Sequence, residues 1–245
     1  MKATFKQAAL TALSLLLGGG AAAAGEQHSS SNHDHLPLIG TFKVDQLENR
    51  WQDGRNTLKW EAQGWYGGDY ERVWFNTEGE KPSGEGVEEA EFQLLYSRMR
   101  SEFWDMQVGI RHDVRPTPQT TYGVVGMKGV APYFFEVNAQ AFISEDGDLS
   151  ARLKVEYDLL ITQKLVLQPS LETNAALQKV RELEVGSGFN DVSLGLRLRY
   201  EFVKEFAPYV GISWDRKLGG TASLARAHGE DVDALSLVTG IRFWF

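Results

Sequence analysis

From Asp191 to Phe202 apolar and polar side chains alternate without a break. Val192, Leu194, Leu196, Leu198, Tyr200 and Phe202 share one face, and Asp191, Ser193, Gly195, Arg197, Arg199 and Glu201 the other. Successive side chains of a β-strand point to opposite faces, so a period of two predicts a strand with two unlike surroundings. The ionic face narrows the choice of fold. Arg197, Arg199 and Glu201 cannot sit in the dry interior of a β-sandwich, although they could lie on its solvent side. A membrane-spanning β-barrel meets the pattern directly, with apolar side chains towards lipid and polar ones towards a wet lumen.

Other segments repeat the alternation. Leu149, Ala151, Leu153, Val155, Tyr157 and Leu159 oppose Ser150, Arg152, Lys154, Glu156 and Asp158. Trp104, Met106, Val108 and Ile110 oppose Asp105, Gln107, Gly109 and Arg111, and Ala90, Phe92, Leu94 and Tyr96 oppose Glu89, Glu91, Gln93 and Ser97. The expected fold is therefore all-β: an antiparallel, up-and-down transmembrane barrel of about twelve strands, with a disordered N-terminal segment before it. The strands are expected at Gly40–Trp51, Asn56–Tyr66, Tyr70–Glu80, Val87–Arg98, Glu102–Asp113, Gln119–Gly129, Tyr133–Ser144, Asp148–Leu160, Gln163–Asn174, Asn190–Val203, Phe206–Leu218 and Val232–Phe245. Pro169 objects locally, since proline in a sheet belongs at an edge or a bulge.

The connections separate into short ones, such as Gly67–Asp69, Ala131-Pro132 and Lys204-Glu205, and longer ones, such as Ala175–Phe189 and Gly219–Asp231. Outer-membrane barrels keep short turns on the periplasmic side and longer loops outside, which places both chain ends in the periplasm. Trp60, Trp65, Trp74, Trp104, Tyr133, Phe206, Trp214 and Phe243 are expected in the headgroup zone, where amphipathic rings are favoured.

The first residues agree with this address. Lys2 and Lys6, the apolar run Ala8–Leu17 and the small residues Ala22–Ala24 make up a secretory signal peptide over residues 1–24. Residues 25–39 form a flexible periplasmic segment carrying His28, His33 and His35, and residues 40–245 the barrel. The chain has no cysteine, which excludes disulfides, thiolate metal sites and a lipid anchor on cysteine. A formal net charge of −8 argues against nucleic acid as a partner.

An ordered set of short segments carries a family resemblance from about Asp45 onward: Gly64-Trp65-Tyr66-Gly67-Gly68-Asp69, Leu95-Tyr96-Ser97-Arg98, Phe103-Trp104-Asp105, Gly129-Val130-Ala131-Pro132-Tyr133, Glu156-Tyr157-Asp158-Leu159-Leu160, Leu196-Arg197-Leu198-Arg199-Tyr200-Glu201 and Glu205-Phe206-Ala207-Pro208-Tyr209. With them the chain resembles the copper resistance protein B family (CopB/PcoB) of outer-membrane proteins. The resemblance implies a barrel that binds copper ions or moves them across the outer membrane, with a periplasmic multicopper oxidase as partner. One departure concerns the segment before the barrel. Relatives often carry a stretch rich in methionine and histidine there, whereas residues 25–39 hold three histidines and no methionine, so thioether capture of soft Cu(I) is excluded in that segment.

Candidate chemistry follows from donor types. His28 and the pair His33 and His35 offer imidazole to Cu(II). His112 beside Asp113, and His228 near Glu230 and Asp231, are candidates for an exterior metal site. By parity Glu89, Glu91, Asp105, Arg111, Glu136, Arg152, Glu156, Asp158, Arg197, Arg199 and Glu201 line the lumen, where charge ladders between strands would narrow the bore and steer cations. Met106 is expected to face lipid, and Met127 falls where glycines blur the parity. No Gly-x-Ser-x-Gly elbow, His-Glu-x-x-His helix or phosphate loop is present, so the chain is not expected to be an enzyme. A general small-solute porin or a structural barrel is the alternative, and a barrel lipase built on His112 or His228 a third reading.

Overall fold

The computed structural model describes residues 38–52, 55–180 and 183–245. The signal peptide and His28, His33 and His35 lie outside the described residues. The strands are β1 (Ile39–Gln52), β2 (Arg55–Gly67), β3 (Glu71–Pro82), β4 (Glu89–Ser101), β5 (Trp104–Arg115), β6 (Thr120–Ala131), β7 (Phe135–Ser144), β8 (Leu149–Glu156), β9 (Leu159–Leu160), β10 (Leu165–Ala176), β11 (Gly188–Tyr200), β12 (Phe206–Lys217) and β13 (Asp233–Trp244). Among the described residues one α-helix, α1 (Gly219–His228), lies between β12 and β13, and a single 3-10 turn spans Pro132–Phe134.

Apart from β8 and β9, strands adjacent in sequence pair antiparallel, and β1 pairs with both β2 and β13, which closes the sheet. The short β9 continues β8, since both pair with β10, so the ring has twelve staves. Pro169 explains the interruption. Ser170 opposes Glu156 and Leu167 opposes Leu159, so the register is kept across the gap. The Tyr157 N–H donates to the Pro169 carbonyl at 3.1 Å, but proline has no N–H to return the bond. A closed ring offers no edge, and the β8–β10 register shows no bulge here. The expectation that Pro169 needs one or the other is corrected: the cost is one missing rung.

The surface is inverted relative to a water-soluble protein. Leu94, Val108, Ile110, Val125, Leu194, Val210 and Leu235 are exposed, while Gln46, Glu48, Glu91, Gln93, Gln107, Arg197 and Arg199 are buried. A continuous apolar exterior around a polar interior is the arrangement lipid requires of a spanning barrel.

Two features depart from the sequence expectation. Trp74, Leu95, Val124 and Phe142 form a buried apolar cluster inside the barrel, with Trp65 and Tyr122 packed against it. Trp65 and Trp74, expected in the headgroup zone, therefore face inward, as cross-strand partners with ring centroids 6.3 Å apart. The loop expected at Gly219–Asp231 contains α1. Its Ala222 and Ala225 are buried, Gly229 ends it in the left-handed conformation at φ 80°, and the Gly186 N–H donates to Thr221 Oγ1 at 2.9 Å. This helix meets Gly186 of the β10–β11 connection at the long-loop end of the barrel.

Candidate functional site: the ionised bore

Strand β1 sets one wall of the bore. A β-bulge at Asp45 shifts the pairing with both β2 and β13, so the inward positions change from Lys43 and Asp45 to Gln46, Glu48 and Arg50. Glu48 is 0% exposed. Its carboxylate accepts from Arg50 Nε at 2.8 Å, from Arg197 Nε at 2.9 Å and Nη2 at 3.0 Å, and from the Tyr209 hydroxyl at 3.0 Å. Tyr209 belongs to β12 and reaches β1 by crossing β13 at Gly240, where any Cβ would lie 2.6 Å from the ring. A carboxylate this dry is stable only because each oxygen is matched.

Opposite, the wall from β3 to β7 carries the apolar cluster, with cations laid on its rings. Lys128 Nζ lies 4.2 Å from the Trp74 ring centre, and the Arg111 guanidinium 4.9 Å from that of Phe142 and 5.3 Å from that of Tyr122. Such placements add cation–π attraction to the ion pairs.

Acidic side chains gather in rows on adjacent strands. Glu61 pairs across to Glu78, Glu78 to Glu91, and Glu80 to Glu89. Like charges directly opposite repel, so these rows require cations from elsewhere. Strand β8 supplies them from the far side. Lys154 reaches Glu61 at 2.5 Å, although β2 and β8 are diametrically placed in the ring, and Arg152 pairs with Glu78 and, at 3.0 Å, with Glu91. Arg111 joins Glu91 and Asp113, each at 2.7 Å. The bridges thus span the lumen as well as linking neighbours. Between them lies a cavity of about 190 Å³ lined by six carboxylates (Asp45, Glu61, Glu78, Glu91, Glu136 and Glu156) and four cations (Lys43, Lys128, Arg152 and Lys154).

The remaining candidates are placed as follows. Asp105 meets Arg72 at 3.7 Å, and Glu156 meets Lys154 at 3.4 Å. Glu136 lies directly across from Glu156. Asp158 and Glu201 both meet Arg199, at 2.7 and 3.3 Å. Glu48, Arg50, Glu78, Glu80 and Lys128 belong to the same network, although the alternation pointed to none of them.

His112 and His228 are not brought together. His112 sits on β5 with its Nδ1 3.0 Å from Thr121 Oγ1, on the opposite face of that strand from Asp113. His228 closes α1 and pairs with Glu184 at 2.6 Å, while Glu230 pairs with Lys217 at 2.6 Å. The Lys217 hydrogen bond holds the Glu230 carboxyl below the usual range. Among the described residues no group of three or more His, Asp or Glu side chains is arranged to hold a metal ion. Met106 and Met127 are cross-strand partners, and both are exposed on the lipid face.

The comparisons agree with this architecture. Copper resistance protein B of Escherichia coli is 42% identical over 202 residues, covering 82% of this chain and 68% of that protein. A copper resistance protein B homolog of Pseudomonas syringae pv. tomato is 41% identical over 220 residues, covering 89% of this chain and 74% of that one. Among solved structures a NanC porin superposes with a TM-score of 0.56 at 10% identity, covering 84% of this chain and 99% of the porin, a likeness of fold alone. The family described as copper resistance protein B precursor (CopB) matches residues 38–245. The chain therefore belongs to the copper resistance protein B family and is an outer-membrane β-barrel of copper resistance.

Proposed function

We propose that this barrel binds copper ions and passes them across the outer membrane in concert with a periplasmic multicopper oxidase, and that it has no enzymatic activity of its own. Residues 1–24 serve as its signal peptide, and the segment from residue 25 to 39, with His28, His33 and His35, works on the periplasmic side. The observation that carries this reading is the bore, where carboxylates outnumber cations around the 190 Å³ cavity and favour a cationic passenger. The Lys154–Glu61 bridge across the lumen speaks against the alternative of a general small-solute porin, because it divides the space that uncharged solutes would need.

Deleting the gene is expected to sensitise cells to copper while leaving the uptake of small neutral solutes unchanged. Unaltered copper tolerance would overturn the reading, and a loss of neutral-solute uptake would favour the porin. Titrating the purified barrel with Cu(II), with and without residues 25–37, locates the capture step. Unchanged stoichiometry in the shortened chain would assign capture to the bore instead of the histidines. Lys154→Met frees Glu61 and is expected to raise cation conductance in planar bilayers.

A further inference from the structure

At the short-turn end of the bore the charge balance reverses. A second cavity of about 240 Å³ is lined by Arg199, Lys204 and Arg242 against Asp158 and Glu201, with Trp244 at its rim. Three cations face two carboxylates there, whereas the deeper cavity has an excess of carboxylates.

Arg199 is 5% exposed, yet it uses only part of its donor set. Its Nη2 meets Asp158 and Glu201, while Nε and Nη1 have no hydrogen-bond partner among the described residues. Both nitrogens are closed off from solvent, so Arg199 acts on the cavity through its charge. Arg242 is also under-used. Its ion pairs with Asp45 and Asp158 are long, at 3.6 and 3.9 Å, and it makes no hydrogen bond among the described residues. Asp45 is itself matched by Lys43 at 2.5 Å. Lys204 has no ion pair among the described residues, and its carbonyl accepts from Trp244 Nε1 at 2.8 Å, which fixes the rim.

We propose that this mouth is a binding site for a small carboxylate anion, seated between Arg199, Arg242 and Lys204. One carboxylate cancels the surplus positive charge and supplies oxygen acceptors in the planar form that guanidinium groups match best. The occupant comes from the aqueous periplasm, because the cavity opens on the inner face of the barrel, away from lipid headgroups. The site stands independently of copper passage, and its test uses no copper.

The full chain, folded in a zwitterionic detergent, is titrated calorimetrically with sodium acetate and with sodium succinate, against sodium chloride at matched ionic strength. Saturable binding of a carboxylate is expected, weakened by about tenfold in Arg199→Gln, as for loss of one of the three positive charges lining the site. Should Arg199→Gln fail to fold, the exposed Lys204→Gln keeps the test open and is expected to weaken binding severalfold. Absence of saturable binding by either carboxylate, or affinity unchanged in both Lys204→Gln and Arg242→Gln, would overturn the proposal.

Discussion

The two walls of the bore are held in opposite ways. Around β1, β11 and β12 a single dry carboxylate, Glu48, gathers two guanidinium groups and a phenol. From β3 to β7 the interior is packed with Trp74, Leu95, Val124 and Phe142, with cations laid over the rings beside the carboxylates of β3 and β4. The first wall depends on complete pairing and the second on volume, so they should fail differently. A polar lumen can therefore be stiffened either by a saturated ionic knot or by a small apolar core, and this chain uses both.

Glu48→Ala should have the largest effect. It leaves Arg50 and Arg197 without their shared partner, which for a broken buried pair costs about 3–5 kcal/mol, read from the urea unfolding midpoint in lipid vesicles. Leu95→Ala on the other wall should cost about 3 kcal/mol through the cavity left beside Trp74 and Phe142. Because the two sites share no partner, the double variant should show the sum, and a clear departure from additivity would break the picture of independent walls. Gly240→Ala comes next, at about 1–3 kcal/mol, because the new methyl group meets the Tyr209 ring. Glu230→Gln should matter least, under about 1 kcal/mol, since its pair with Lys217 is largely exposed. The Glu230 carboxyl is held below its ordinary range, so this clasp contributes above that range and is lost as the pH falls below about 4, readable as an acid-side drop in the midpoint that is smaller in the variant.

What the sequence made legible was governed by parity. In β11 the alternation runs unbroken, and Arg197 and Arg199 face the lumen while Leu196 and Leu198 face out. In β1 the bulge at Asp45 moves the inward positions from odd to even numbers, so a fixed period of two has no means of selecting Glu48 and Arg50. The apolar knot was hidden for a different reason. Leu95 follows Gln93 and precedes Ser97 on the inner face of β4, and alternation reports a face without saying whether water fills it. Helix α1 was legible in principle. Its alanine-rich run and the glycine at its end are local signals, outweighed in the reading by the expectation of a loop. The bridges from β8 to β2 and β3 join residues 93 and 74 positions apart, and no one-dimensional pattern encodes them.

Tyr209 reaching over Gly240 to Glu48 also bears on how the cylinder is assembled. An unclosed sheet would present Glu48 to the membrane stripped of Arg197 and the phenol, because both come from strands on the far side of the seam between β1 and β13. Zipping that seam and neutralising this acid are thus one event, which penalises a half-open intermediate in hydrocarbon and makes ring closure all-or-none.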